Sequence, residues 1–345
     1  MASPTALRPP AVTVLMPVRN AVKSIGAAVA SVCRQSSPDW ELLAVDDGSN
    51  DGTGEWLADY ATREPRLRLL RQPARGIVAA LNAGLGVARG RLVARHDADD
   101  EMLPGRLEEQ AALFEERPEL GLVSSLVRFG GDRASSPGYA LHVDWLNSLV
   151  EPVDLAFNRF VESPFAHPSV MFRRELVALH GAYRDGDFPE DYELWLRWFE
   201  SGIQMAKVPR VLVVWHDPPG RLSRTDPRYS SEAFFRMKAP YLARAAAGLL
   251  AGRRLFVWGA GRLTRRRAEL LEGHGLRIAG HVDIAPRKIG STTPAGLPVI
   301  GPGDLPAPSD VFVLGYVSTR GAREFIRGEL RTRGFVEGRD FLMGA

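Results

Sequence analysis

The chain has 345 residues, 45% of them hydrophobic and 25% charged, and 44 basic against 41 acidic residues leave a net charge of +3. That length asks for two domains, and the composition is that of a globular protein. So small a charge excess gives no reason to expect a nucleic-acid partner, although a pI near 9.2 allows peripheral contact with anionic lipid at the inner face of a membrane.

The opening MASPTALRPP lacks the basic start and apolar core of a secretion signal and reads as a flexible tail over residues 1–10. No apolar run approaches the roughly 20 residues that span a bilayer. The single cysteine, Cys33, excludes intrachain disulfides. Together these features predict a cytoplasmic protein.

From residue 11 the pattern alternates. AVTVLMPV is a strand that should stop at Pro17. Residues 22–35 carry Ile25, Ala28, Val29 and Val32 at helical spacing, with Cys33 expected on the same buried face. WELLAV is a second strand, closed by the turn formers DDGSNDGTG. A helix through Trp56, Leu57 and Tyr60, a strand RLRLL, a helix GIVAALNAGLGVA and a strand RLVAR follow. The repeated strand–helix order predicts an α/β fold, a mostly parallel sheet with helices on both faces. Ligands of such sheets gather at the carboxyl ends of the strands, where PVRN, DDGSNDGT and DADD all fall.

Residues 128–168, broken by Pro137, Gly138, Pro152, Pro164 and Pro168, read as loops and short helices over that site. PEDYELWLRWFESG is a helix with an apolar stripe of Leu194, Trp195, Trp198 and Phe199, stopped by Gly202. VPRVLVVW returns as a strand. Residues 231–250 read as a connecting helix that Pro240 should kink or divide. At Arg253 the strand–helix pattern restarts. The expected organisation is a main domain over 11–227, a connecting helix over 228–252 and a small Rossmann-like domain over 253–345.

Four acids crowd the five positions from Asp97 to Glu101. Helix capping accounts for one or two of them. A divalent cation, Mn²⁺ or Mg²⁺, held by hard oxygens of Asp97 and Asp99, accounts for the crowd at the mouth of a strand. Asp46 and Asp47 end the neighbouring strand, where a carboxylate can accept from a base or a ribose; an Asx-turn would use them equally well. Pro17, Arg19 and Asn20 bring one rigid and two polar side chains to the end of the first strand. Three such strand ends describe a pocket for a nucleoside diphosphate.

These stretches, VLMPVRNA, LLAVDDGSNDGT, ALNAGLGVARGRLVARHDADDEMLPGRLEEQ and HPSVMFRRE…PEDYELWLRW, cover residues 11–225 and resemble the family-2 glycosyltransferases of the GT-A fold, inverting enzymes that use nucleotide-sugars. The resemblance implies a nucleotide-diphosphate sugar donor and a hydroxyl acceptor on a glycan or glycolipid of cell-surface polysaccharide synthesis. It implies that Pro17, Arg19, Asn20, Asp46 and Asp47 line the nucleoside pocket. Asp97 and Asp99 then form the metal and ribose–diphosphate motif. Asp99 is the direct ligand, Asp100 an alternative in a shifted register, and His216 a further candidate. It makes Asp191 of the PED run the general base, with Glu190 beside it, and places His167 and Trp195 on the acceptor side. Arg221 and Arg224 become candidates for the diphosphate, and Trp145 for a sugar face. At a helix start the dipole lowers a carboxylate's pKa, whereas a base wants it near the working pH, so enclosure has to push it back up.

VWGAGRLT, with Asp283 about 22 residues beyond Gly261, is similar to the dinucleotide fingerprint. Thr264 takes the place of its third glycine, and a structural or assembly role is expected over a bound phosphate ligand. RLTRRR is a dense basic patch near the start of the helix that VWGAGRLT opens, suited to a phosphate or an acidic partner and most often only a solvated face. A nucleotidyltransferase would show a glycine-rich basic loop that PVRNAVKSIG lacks. A noncatalytic nucleotide-sugar sensor or a nicotinamide oxidoreductase would leave DADD and PED idle.

Overall fold

A computed structural model describes residues 9–218 and 220–345; the expected tail lies, but for residues 9 and 10, outside the described residues. The chain divides into two compact units. The first runs through Leu155 and takes up Pro164–Gly186 and Glu190–Thr225; the second takes Ala156–Ser163, Asp187–Pro189 and Asp226–Ala345.

In the first unit the order is β1 (Val12–Val18), α1 (Ile25–Cys33), β2 (Trp40–Asp47), α2 (Thr53–Ala61), β3 (Leu67–Gln72), α3 (Ile77–Val87), β4 (Leu92–Arg95), β5 (Glu101–Met102), α4 (Arg106–Glu116) and β6 (Leu120–Phe129). There follow α5 (Pro137–Ser148), α6 (Pro152–Asn158), which ends in the second unit, β7 (Met171–Arg173), α7 (Glu175–His180), α8 (Glu190–Glu200), β8 (Gln204–Trp215) and α9 (Leu222–Thr225). The strands form one sheet in the order β3-β2-β1-β4-β7-β6-β8-β5. It is parallel except that β7 runs against β4 and β6, and β5 against β8.

Side chains of β1 alternate between the two faces, as strand geometry requires. Val12, Val14, Met16 and Val18 pack with α1 residues Ile25, Ala28, Val29 and Val32. Leu15 faces the other way, with Val78 and Leu81 of α3 and Trp195 and Trp198 of α8. The expected helix-covered, mostly parallel sheet is thus present.

Several details differ from expectation. β1 continues through Pro17 to Val18, because β4 pairs only as far as Leu15 and the imino residue lies past that contact. Cys33 is half-buried at the end of α1, with its Sγ 3.8 Å from the Tyr60 hydroxyl. β6, ten residues long, was not anticipated, since Ser124 and Ser125 interrupt its apolar run; both are buried, and Ser124 Oγ meets Ser169 Oγ at 2.7 Å.

The second unit contains α10 (Ser231–Leu250), β9 (Arg254–Trp258), α11 (Arg262–Glu272), β10 (Ile278–Val282), β11 (Val299–Ile300), β12 (Val311–Gly315), α12 (Ala322–Thr332) and β13 (Phe341–Met343). Its sheet is parallel throughout, in the order β11-β10-β9-β12-β13. Helix α10 runs unbroken through Pro240, which therefore does not divide it. This helix belongs to the second unit, as do the short pieces from the middle of the chain. The buried Lys238 ammonium donates to the carbonyls of Phe160 and Gly344, both at 2.8 Å. Arg327 donates to Asn158 Oδ1 at 3.0 Å.

Gly90 sets how closely β4 can lie against β1. A Cβ there would sit 2.4 Å from the Thr13 nitrogen and 2.7 Å from the Val12 carbonyl carbon, while the Gly90 N–H donates to Thr13 Oγ1 at 2.8 Å. Backbone cannot yield as a side chain can. Gly90→Ala is expected to lower stability by ~2–3 kcal/mol, the cost of overpacking, read as a lower urea midpoint at an unchanged m-value.

Candidate active site

Parallel pairing brings three strand ends side by side. Val18 is opposite Asp46 across β1 and β2, and Leu15 is opposite Arg95 across β1 and β4. PVRN, DDGSN and HDADD therefore open onto one edge of the sheet in the order β2-β1-β4.

At the first two ends much of the polar chemistry is spent on the loops themselves. Asn20 has φ 52°, its Oδ1 accepts the Asn50 N–H at 2.9 Å, and its own N–H donates to Ser49 Oγ at 2.9 Å. Asp46 Oδ1 accepts the Ser49 N–H at 3.0 Å, the Asx-turn alternative in being. Asp47 accepts from Gln72 Nε2 at 2.7 Å and from the Arg75 and Gly76 N–H groups at 2.8 Å, closing the loop that enters α3. That leaves about one of its four lone-pair positions, with the half-exposed Arg19 guanidinium 3.9 Å away. Pro17, half-buried, supplies shape between them.

The acid cluster follows β4. One oxygen each from Asp97, Asp99 and Asp100 lie within 4.8 Å of one another. Burial alone would raise the Asp97 carboxyl, but Arg95, with His167 and Arg221, holds it below the usual range. Asp99 is raised by burial and by Asp97, and Asp100 well above the usual range by burial, Asp97 and Asp99. Asp100 Oδ1 accepts the His216 N–H at 2.8 Å. Its Oδ2 and the His216 Nδ1 are enclosed without a hydrogen-bond partner among the described residues, and Nδ1 lies 4.0 Å from Oδ1. Repelling carboxylates with an unsatisfied oxygen and nitrogen facing them fit a divalent cation, which prefers such hard donors.

Arg95 was read only as the end of a strand, yet it ties the site together. It is 1% exposed, donates from Nη2 to Asp97 Oδ1 at 2.5 Å and also donates to the His96 carbonyl. Its charge is felt at His167, Asp97 and Asp191. Its N–H donates to the Val170 carbonyl at 2.9 Å, which fixes the 3₁₀ turn His167–Ser169 beside the cluster. Arg106 is also wholly buried, donating to the Arg95 and Val170 carbonyls at 2.9 and 3.2 Å; burial lowers its pKa to about 9.

Glu190 and Asp191 begin α8. Burial, then the Glu190 charge, push the Asp191 carboxyl up to about 7, although its Oδ1 accepts the Tyr192 N–H at 2.7 Å. Enclosure outweighs the helix dipole. The helix is anchored by Arg197, paired with Glu193 at 3.0 Å and donating to the Gly181 and Ala182 carbonyls at 2.9 and 2.8 Å.

His167 Nε2 meets the Tyr183 hydroxyl at 2.8 Å, and burial and Arg95 keep the ring neutral. Tyr183, not singled out in the sequence, feels Asp191, Glu190 and Asp97. Trp195 is a correction: at 0% exposure it has no face for an acceptor, because the apolar stripe of α8 turns into the core. It supports His167 edge-on, ring centroids 5.9 Å apart. Trp198 is likewise core, and Trp145 stacks on His142. Arg221 lies over the Trp215 ring at 4.2 Å and donates to the Tyr139 hydroxyl, with its charge reaching Asp97, Asp99 and Asp100. Arg224 is tied to Asp217.

Comparison with known proteins identifies the family. Residues 13–179 match the profile of Glycosyl transferase family 2. The chain is 30% identical over 227 residues to EpsE of Bacillus subtilis, named as a glycosyltransferase, covering 64% of this chain and 78% of that protein. To the amylovoran biosynthesis glycosyltransferase AmsE of Erwinia amylovora it is 33% identical over 177 residues, 50% of this chain and 63% of that one. Its fold resembles that of the mannosyltransferase PcManGT from Pyrobaculum calidifontis, solved with GDP-Man and Mn²⁺, with a TM-score of 0.50 at 23% identity over 72% of this chain and 66% of that one. The chain belongs to glycosyl transferase family 2 and is a glycosyltransferase with the GT-A fold.

Proposed function

We propose that the first unit moves a sugar, with inversion, from a nucleoside-diphosphate sugar to a hydroxyl of a glycan or glycolipid, in the synthesis of a cell-surface polysaccharide. The observation that carries this reading is the Asp191 carboxyl. It is enclosed, raised to about 7, and linked through the field of Arg95 to the acid cluster at the strand ends. The relative named for amylovoran biosynthesis and the neighbour solved with GDP-Man support the acceptor and donor classes.

In this reading Asp47, Asp46, Asn20, Arg19 and Pro17 hold the nucleoside end. Asp99, with Asp97, Asp100 and His216, would hold a divalent cation. When bound, that cation would neutralise the charge developing on the leaving diphosphate. Asp191, ionised, takes the proton of the acceptor hydroxyl as its oxygen bonds to the anomeric carbon and the bond to the diphosphate breaks. Glu190 keeps the Asp191 pKa high by repulsion, and His167 and Tyr183 border the acceptor. The leaving diphosphate needs no proton, so one base suffices.

Incubation with a panel of UDP- and GDP-sugars and Mn²⁺, following nucleoside diphosphate release, tests the reading. Release should stop in excess EDTA, and Asp99→Asn should cost at least ~3 kcal/mol of transition-state stabilisation, more than a hundredfold in kcat. Undiminished release in EDTA would remove the metal from the scheme. The product sugar should carry the anomeric configuration opposite to the donor's, read from its NMR coupling constant.

Asp191→Asn should lower kcat by roughly 10²–10⁴, the usual worth of a general base, while leaving donor affinity nearly unchanged. Because the base works ionised, the wild-type rate should rise about tenfold per pH unit below 7 and level off above it. A flat profile from pH 5 to 8 would exclude Asp191.

The same carboxyl should weaken the fold. Its folded pKa lies above the unfolded one, so its contribution is fully present below pH ~4 and lost as the pH rises through 7. Asp191→Asn should therefore stabilise the protein by about 2 kcal/mol at pH 8, discounted for the partly open edge of the carboxylate, and hardly at all at pH 4. Urea titrations at the two pH values measure the difference.

A further inference from the structure

The fingerprint-like loop of the second unit spends its acid on its own fold. Asp283 accepts from the Ala260 N–H at 2.9 Å and from Lys288 Nζ at 2.8 Å on one oxygen, and from the Ala285 N–H at 2.9 Å on the other. A Cβ on Gly259 would stand 2.7 Å from Val317 Cγ2, so the glycine serves packing between two loops.

Beside α11, however, lies a cavity of about 280 Å³, bounded by that helix, by β10 and by residues 293–297. Arg262, Arg265 and Arg266, in the first turns of the helix, line one part; Glu269 and Glu272, further along it, line the other. His281 of β10 also lines it and is only 3% exposed. His281 Nδ1 lies 2.8 Å from the Gly259 carbonyl. A carbonyl only accepts, so Nδ1 carries the proton and Nε2 is left as a lone-pair acceptor. Burial lowers the pKa of this ring, which favours the neutral form. Nε2 has no hydrogen-bond partner among the described residues. It is an acceptor on the wall of the cavity, available to a donor from a ligand.

Arg262 likewise makes no hydrogen bond or ion pair among the described residues, whereas Arg265 donates to the Ala260 carbonyl at 2.6 Å and Arg266 lies 3.7 Å from Glu232. The cavity is thus two-ended: cations at the helix start, where the dipole also favours an anion, and acceptors further along. Its volume is at the lower limit of ordinary ligand pockets, about 300 Å³. That suits a monosaccharide better than a whole nucleotide-sugar.

We propose that this cavity binds a phosphorylated monosaccharide, its phosphate on Arg262, Arg265 and Arg266 and its hydroxyls donating to His281 Nε2, Glu269 and Glu272. The site lies within the second unit and does not depend on the transfer reaction. A ligand there would be a sugar phosphate of the kind from which activated sugar donors are made.

The full-length chain, in EDTA so that the acid cluster of the first unit cannot recruit a cation, is titrated calorimetrically. The probes are glucose, galactose, mannose and N-acetylglucosamine 1-phosphates, with inorganic phosphate as the comparison. At least one sugar phosphate should bind saturably and at least tenfold more tightly than phosphate. That affinity should persist in Asp99→Asn and fall at least tenfold in Arg262→Glu and in His281→Leu. Arg262 is exposed at the first position of α11, where an acid is favoured by the dipole, so Arg262→Glu keeps the test valid should His281→Leu fail to fold. The proposal is overturned if no sugar phosphate binds, if phosphate binds as tightly, or if binding survives Arg262→Glu. Loss in Asp99→Asn alone would assign the binding to the first unit.

Discussion

A guanidinium at 1% exposure cannot be kept in a protein without compensating negative charge, and the arrangement of this active site follows from where Arg95 is buried. Strand β4 is only four residues long, and Arg95 ends it between β1 and β7. From there the side chain pairs with Asp97 and its backbone holds the turn carrying His167. Its field reaches Glu190 and Asp191 at the start of α8. One buried cation thus sets the position and ionisation of groups from three distant parts of the chain. The acids around it outnumber it: Asp97 is satisfied, whereas Asp99 and Asp100 are driven toward protonation. That residual imbalance is what the cation of the proposed reading would relieve.

What the sequence displayed plainly were the features written in runs. The strand ends PVRN, DDGSN and DADD stand out because apolar stretches stop abruptly at them, and the α/β order fixes that they meet at one edge. What it concealed were isolated residues whose type misleads. Arg95 and Arg106 look like solvated ends of a strand and a helix, since long charged side chains usually are, yet tertiary packing encloses both. The Trp195 side chain could have faced either way from an aromatic helix, and only the packing of α8 on the sheet settles it. Strand β7 has three residues and β6 is interrupted by two serines, so neither offers the periodicity that betrays a strand. Tyr183 sits in a stretch without pattern, and no signal in one sequence would have singled it out.

The cost of the arrangement is visible in unsatisfied atoms. Nitrogens of Arg95, Arg106 and His96, besides Asp100 Oδ2 and His216 Nδ1, are enclosed without hydrogen-bond partners among the described residues. Each such atom is expensive in a folded chain, and the five lie on or within a few residues of the acid cluster, or on a side chain that touches it. Stability has been given up locally where charge must be held ready, and the continuous apolar layers on both sides of the sheet offset it.

The second unit borrows residues 156–163 and 187–189 from the middle of the chain, and these are not idle spacers. Lys238 caps the Phe160 carbonyl, Arg327 reaches Asn158, and Phe157 packs where Gly338 leaves room for it. A recombination event that carried only residues 226–345 to another gene would leave those partners behind and strand a buried ammonium. The C-terminal sheet is therefore poor currency for exon-like shuffling, and a point change near Phe160 would be felt by a region that appears, on a linear map, to begin some 70 residues later.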